Sequence, residues 1–313
     1  MPLRDLVDAP ELARALHLSV SQLLDYANSP NQRAFFHARA IRKRNRARRG
    51  QFRTVFSPRA EHLRQAHFFV AQLLAEATIS PAAHGYLRGR SIRTNAAEHL
   101  GARLLLHADI EGFFDSITVE QVRAALTVVG ARIEIADLLS RFCTIDKRLR
   151  QGTRCAPTIA NLVCRGLDED LRALAHGHEC RYTRYADDVT LSGDEVPGTD
   201  EIDAIFTRHG FRLRRGRCYV QTRGKSQFVT GLTIGHSDQP RLSRYSKRRM
   251  RLILHFMGKY GSRGHFAKVG KHPTYSNESA VRGALAFFRS IEPVLAEKLF
   301  AQFVAAIEKD RRT

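Results

Sequence analysis

Apolar residues at helical spacing alternate along this chain with short β-forming runs, and the order of the two separates a mixed first part from a helical end. Leu12, Ala15, Leu16, Leu23 and Leu24 lie on one stripe between Glu11 and Tyr26, with Ser19 as an internal cap. This predicts one or two short helices, stopped by Asn28-Ser29-Pro30. Helices are also expected over Glu61–Glu76, from Ser91 onward, and over Thr118–Gly130, Glu134–Phe142, Pro157–Ala175 and Thr199–His209. Between them, Leu104-Leu105-Leu106-His107-Ala108 reads as a buried strand broken at Gly112. Arg181–Ser192 reads as a hairpin with Asp187 and Asp188 at its tip, and Gln227–Ile234 alternates as strands. From Arg241 the period is helical: a basic amphipathic helix over Tyr245–Phe256, a Gly-rich basic loop over Gly258–Thr274, then helices over Ala284–Phe288 and Leu295–Ile307. The fold class expected from this order is α+β.

Two of these elements carry chemistry. Adjacent carboxylates on a tight turn repel each other, and an acid ending a buried strand, Asp109, is costly without a partner. Asp is common in solvated turns for reasons of backbone alone. If Asp109 meets the Asp187-Asp188 tip, however, three oxygen donors converge. They suffice to share two Mg²⁺ ions about 3.5–4 Å apart, the arrangement that activates a hydroxyl and stabilises a leaving pyrophosphate. Mn²⁺ is the alternative ion, and no His or Cys ligand is needed.

Composition narrows the partner. The chain has 313 residues, 43% of them hydrophobic, enough for a sizeable core. Lys and Arg number 51 against 31 Asp and Glu, a formal charge of +20, which implies a polyanion such as nucleic acid. No apolar run is long enough to span a bilayer, and the start Met1-Pro2-Leu3-Arg4-Asp5 lacks a signal-peptide core, so a cytoplasmic protein is expected. Five scattered cysteines read as reduced core or strand residues. The densest basic run, from Arg39 to Arg53, is either a solvated segment or a surface for template or triphosphate.

Asp109 with Phe114 five residues on, followed by Tyr185-Ala186-Asp187-Asp188, resembles the palm of a reverse transcriptase. Asn95-Ala96-Ala97-Glu98-His99 and Val229-Thr230-Gly231 resemble signatures of the retron reverse transcriptases. Gly85-Tyr86, Ser91-Ile92, Phe113-Phe114 and Ser116-Ile117 also sit where that family has them, and the similarity runs from about Arg53 to the C-terminus. Each motif is short; their order and separation carry the resemblance.

The resemblance implies a right-hand polymerase: N-terminal helices and fingers over residues 1–100, a catalytic palm with an antiparallel sheet over 101–235, and a helical thumb over 236–313. It implies catalytic Asp109, Asp187 and Asp188, with the Ile110 carbonyl as a further metal ligand. Arg53, Phe114, Gln151 and Arg217 fall at nucleotide-binding positions. Phe114 is either a core ring or a barrier to a 2′-hydroxyl. Asn95 and His99, spaced i and i+4 on the helix from Ser91, form either a core hydrogen-bonding couple or a determinant of RNA recognition. Val229, Thr230 and Gly231 join that RNA-binding set, as do Arg248, Arg249 and Arg251 of the basic helix, whose bland alternative is a wet face of a small bundle.

Four positions depart from the family pattern, one of them Gly235, where many relatives carry an Asn. Arg154 and Ala156 replace a Pro and a Ser in the loop Gln151–Pro157, which puts the rigidity of that loop in question. Arg217 stands where relatives usually carry a Lys; a guanidinium is a poor substitute as a proton donor to pyrophosphate and leaves electrostatic stabilisation as its role there. The implied partners are a structured noncoding RNA serving as template and primer, the RNA–DNA product, deoxynucleoside triphosphates and an effector protein, with no membrane. The implied function is retron reverse transcription from an internal 2′-hydroxyl into multicopy single-stranded DNA, in anti-phage defence. The rivals are another bacterial reverse transcriptase, of group II intron, diversity-generating or abortive-infection type, and a noncatalytic RNA-binding scaffold restraining a toxin.

Overall fold

The computed structural model describes residues 2–42, 52–235, 238–269 and 275–312. The chain divides into two units, one comprising Met1–Ser91 with Leu104–Val220, the other Ile92–Arg103 with Gln221–Thr313. Both are built from helices and antiparallel sheets, so the fold is α+β.

In the first unit, α1 (Ala9–Ala15) and α2 (Val20–Asn28) are separate helices because both start on their own caps. Asp8 accepts from the Glu11 N–H, and Ser19 and Gln22 form a reciprocal capping box. Strands β1 (Phe36–Arg42) and β2 (Phe52–Pro58) pair antiparallel from Phe36↔Pro58 to Arg42↔Phe52. Arg39, Arg42 and Arg53 of the basic run lie on this ladder; Lys43, Arg44, Arg46, Arg48 and Arg49 lie outside the described residues. Next comes α3 (Glu61–Leu73), which buries Leu63, Ala66, His67 and Val70.

The sheet that positions the site has the order β4-β5-β3-β6, with β3 (Leu104–Asp109), β4 (Arg181–Tyr185), β5 (Asp188–Gly193) and β6 (Tyr219–Thr222). Its strands β3 and β5 alternate little in burial, as strands covered on both faces do. Helices α5 (Phe113–Ser116), α6 (Val119–Val128), α7 (Ile133–Cys143), α8 (Ala156–Val163), α9 (Arg165–Gly177) and α10 (Thr199–Arg208) supply the rest of one continuous core. The single helix expected over Pro157–Ala175 is two helices. Cys164 has ψ near 2°, which interrupts the ladder for one residue while leaving the apolar spacing intact, so periodicity carries no trace of it.

In the second unit, α4 (Ile92–Ala97) packs on the small sheet β7 (Phe228–Val229), β8 (Leu232–Thr233) and β9 (Arg241–Leu242). It ends at Ala97, so His99 lies in the turn after the helix rather than on its face. Three helices follow: α11 (Arg244–Val269), α12 (Glu278–Ile291) and α13 (Pro293–Arg312). The Gly-rich loop expected over Gly258–Thr274 is helix as far as Val269. Glycine costs a helix only about 1 kcal/mol. Here Ser262 and His265 are buried, and that packing outweighs the propensity. What glycine does provide is a kink, with Gly261 at φ 73° and ψ 165°. Among the described residues no helix is long and apolar enough to cross a membrane.

Candidate active site

Strand β3 runs antiparallel to β5 in the register Ala108↔Val189 and Asp109↔Asp188, while β4 closes on β5 with Tyr185↔Asp188. The hairpin tip is therefore the two-residue turn Ala186-Asp187, with Ala186 at φ 58°. The Ile110 N–H donates to the Asp187 carbonyl at 3.0 Å, which fastens the tip to the end of β3. Just beyond, Arg214 N–H donates to the Asp109 carbonyl and Glu111 N–H to the Arg212 carbonyl, both at 2.8 Å. Asp109 thus sits where three backbone segments are tied together, which leaves its position little freedom.

A buried network underlies the turn. Arg184 and Asp168 are both fully enclosed and pair through two hydrogen bonds of 2.7 and 2.8 Å. The Tyr182 hydroxyl donates to the same carboxylate at 2.6 Å. Arg184 also donates to the Ala186 carbonyl at 3.1 Å and to Asn161 Oδ1 at 3.2 Å, and Asn161 in turn donates to the Gly85 carbonyl at 2.9 Å. Burial, followed by the Asp168 charge, pushes the Tyr182 phenol well above its ordinary value, so it remains a donor. Gly85 lies so close to the turn that a Cβ there would come within 2.6 Å of the Ala186 nitrogen. Sequence reading missed this network. Its trace is an Arg at an inward position of β4, in phase with Tyr182.

Beside the turn is a cavity of about 180 Å³ walled by Arg53, Tyr86, Phe114, Gln151, Asp187 and Arg214. Gly112, at φ 58°, turns the chain from β3 into α5. That places Phe113 in the core, against Phe211, and leaves Phe114 half-buried on the cavity wall. Tyr86 faces it, with ring centroids 6.2 Å apart. Burial, then the nearby Asp187 charge, raises the Tyr86 phenol above its ordinary value. The Gln151 loop is pinned to β2: Phe56 N–H donates to the Gln151 carbonyl at 2.8 Å, and a Cβ on Gly152 would fall 2.3 Å from the Phe56 carbonyl oxygen. Arg154 stacks over Phe68, 5.6 Å from the ring centroid, and Cys155 is buried 3.2 Å from His67 Nδ1. The loop is therefore held by contacts where Pro would have held it by its ring.

The reverse transcriptase (RNA-dependent DNA polymerase) family matches residues 41–237 of this chain. The chain is 31% identical to the retron Mx65 reverse transcriptase of Myxococcus xanthus, over 92% of this chain and 69% of that protein. It is 30% identical to the retron Mx162 reverse transcriptase of the same organism, over 96% and 67%, and 27% identical to the retron Ec86 reverse transcriptase of Escherichia coli, over 96% and 89%. The chain belongs to the retron reverse transcriptases. It is an RNA-directed DNA polymerase.

Reverse transcriptases use divalent metal ions, and the residues of this one suit such ions in type: Asp109, Asp187 and Asp188 are hard oxygen donors at one strand end. The side chains are disposed differently from the backbone. Among the described residues no three His, Cys, Asp or Glu side chains are gathered as a metal-binding group. Instead the Asp109 carboxylate is held by guanidinium groups, Arg214 on Oδ1 and Arg217 at 3.6 Å from Oδ2. Arginine thus compensates the Asp109 charge in this structure. Arg217, one of the expected nucleotide-binding residues, stands beside Asp109 in this retron reverse transcriptase, and Arg214 lines the cavity.

The residues expected to bind RNA divide by exposure. Asn95, His99 and Val229 are buried, so their side chains shape the second unit from inside. Thr230 and Gly231 form the β7–β8 turn, at φ 47° and 83°, and the Thr230 hydroxyl donates to the Ile92 carbonyl at 3.2 Å. The two retron signatures therefore meet, α4 on β7–β8. On α11, Arg248 and Arg251 are exposed, while Arg249 stacks over Tyr245 and Tyr275 at 5.9 and 5.3 Å.

Proposed function

We propose that this reverse transcriptase copies a partner noncoding RNA into multicopy single-stranded DNA. It primes from a 2′-hydroxyl within that RNA and serves anti-phage defence in the cytoplasm with an effector protein. The register Asp109↔Asp188, with the Ile110–Asp187 hydrogen bond, carries the chemical part of the reading, because it brings three acids to one strand end. Asp109, Asp187 and Asp188, with the Ile110 carbonyl, would hold two Mg²⁺ or Mn²⁺ ions. Such ions lower the pKa of the primer hydroxyl and stabilise charge on the α-phosphate.

The chain's own residues select and orient. Arg53 and Gln151 bind the incoming deoxynucleoside triphosphate, and Phe114 closes the space a ribose 2′-hydroxyl would need. Arg217 holds Asp109 in place. The β1–β2 hairpin with α3 acts as fingers, the four-stranded sheet as palm, and α11–α13 as thumb. Arg248, Arg249 and Arg251 take phosphates of the RNA or the RNA–DNA product, and Tyr245 adds a ring for sugars. Asn95, His99 and Val229 fix the shape that presents Thr230 and Gly231. A formal charge of +20 supports a nucleic-acid partner.

Replacing Asp187 and Asp188 together by Asn tests this. DNA synthesis on the partner RNA should vanish while RNA affinity stays within about twofold, since phosphate contacts dominate that affinity. Sequencing DNA from cells with the unaltered protein should recover one discrete branched species. Persistent synthesis by the double variant refutes the site, and a heterogeneous unbranched product refutes the priming.

A further inference from the structure

The two arginines on Asp109 are not equivalent. Arg214 lines the 180 Å³ cavity together with Arg53, Gln151 and Phe114. Arg217 is not among the residues of that wall. The Arg214 backbone is tied beside Asp109 by its own N–H, and its neighbour Leu213 bridges Ile110, so the side chain pivots from a fixed root. The other acid on the wall besides Asp187 is Asp115, and Arg150 already pairs with it at 2.8 Å. Arg53 and Arg214 then both line this small space, and a guanidinium fork of N–H donors matches phosphate oxygens as well as it matches the carboxylate it now holds.

We infer that Arg214 binds the triphosphate of the incoming nucleotide, exchanging the Asp109 carboxylate for phosphate oxygens when a divalent ion takes that carboxylate. This rests on the polymerase reading of the site given above. In the resting protein Arg214 offsets the buried charge of Asp109; with substrate present the same side chain faces the β- and γ-phosphates. One residue therefore acts with opposite sign on the two ligands. It strengthens nucleotide binding, and it competes with the metal for Asp109.

That opposition is the test. Arg214→Ala, Arg214→Lys and Arg217→Ala are compared in the full chain bound to its RNA. The readouts are kcat and KM for deoxynucleotides, inhibition by pyrophosphate, and Mn²⁺ affinity without nucleotide, measured by calorimetry. Arg214→Ala should raise the nucleotide KM and the pyrophosphate inhibition constant about tenfold, the scale of one charge-assisted contact. Arg217→Ala should raise them less. Mn²⁺ should bind Arg214→Ala several-fold more tightly, a sign that general loosening of the site would not give. Arg214→Lys keeps the charge and should recover part of the KM, and it decides the matter if the Ala variant does not fold. An unchanged KM in Arg214→Lys and Arg214→Ala, weaker Mn²⁺ binding, or a larger effect at Arg217 would overturn the assignment. Synthesis persisting in the Asp187/Asp188 double variant would instead overturn the site itself, whatever Arg214 does.

Discussion

Two hairpins in this chain turn on a non-glycine residue at positive φ, Ala186 at 58° and Thr230 at 47°, and they are held there by different means. A left-handed backbone costs an L-residue roughly 1–2 kcal/mol, so each turn needs compensation. At Thr230 the compensation uses the turn's own side chain: a glycine follows, and the hydroxyl donates to the Ile92 carbonyl of α4. At Ala186 it acts through the backbone, from β3, from Gly85 and from Arg184 of the hairpin's own first strand. Ile110 binds the Asp187 carbonyl, Arg184 binds the Ala186 carbonyl, and Gly85 presses against the Ala186 nitrogen. A turn whose side chains must stay available for chemistry is fixed through its backbone. A turn without that demand uses its own side chain.

The strongest way to break this contrast is to remove the backbone support. Asp168→Ala leaves the Arg184 guanidinium enclosed with no counter-charge, which should cost about 3–5 kcal/mol in urea unfolding. Replacing both, as Asp168→Leu with Arg184→Met, should restore most of the stability, since well-packed apolar pairs match buried ion pairs. Activity should not return with it, because the bond to the Ala186 carbonyl stays lost. A double variant as active as the parent would show that the network serves stability alone.

Next in size is Gly85→Ala. The added methyl must displace the turn backbone rather than a flexible side chain, so about 1–3 kcal/mol of overpacking is expected. DNA synthesis should fall by more than the stability loss explains, as seen by comparing rates well below the unfolding transition. Retained activity would mean that the tip tolerates movement.

How much of this was legible in advance follows the range of the forces involved. Local signals were readable: Ser19 caps α2 as its neighbours suggest, and the β-formers around the two acids pair as a hairpin, with Asp187 in the turn and Asp188 opening β5. The meeting of Asp109 with that tip was readable only as a consequence of charge burial, together with family resemblance. The Arg184–Asp168–Asn161 network was not, since it joins residues up to 23 positions apart through side-chain geometry. The enclosure of Asn95 and His99 was one of the two readings their spacing left open, and packing puts both inside. The helix through Gly258 and Gly264 was misread as a loop because composition signals propensity, and propensity is weaker than tertiary packing.

A smaller effect sharpens the contrast through pH. His84 lies next to Gly85, its N–H donating to the Arg184 carbonyl at 2.8 Å. Burial, and then the Arg90 guanidinium, lowers its pKa from 6.5 to about 4. Between those values the unfolded chain takes up a proton that the folded chain refuses. Stability therefore falls as pH drops from 6.5 toward 4 and is unaffected by this residue above that window. His84→Gln should flatten the urea midpoint across that range, and an unchanged slope would assign the acid sensitivity to other groups.

The smallest effect compares the turns directly. Ala186→Gly removes backbone strain and no hydrogen bond, so it should stabilise by up to about 1 kcal/mol. Thr230→Gly removes similar strain and also a hydroxyl bond worth about 1 kcal/mol, so the two changes should cancel. The difference between the variants, measured in one denaturation series, isolates what the Thr230 side chain contributes to its own turn. Equal gains at both positions would mean that the bond to Ile92 contributes nothing net. The contrast between a turn held through its backbone and a turn held through its own side chain would then reduce to the presence of Gly231. If Ala186→Gly also lowers activity while raising stability, the backbone contacts are insufficient by themselves, and the methyl of Ala186 takes part in holding Asp187 where the chemistry needs it.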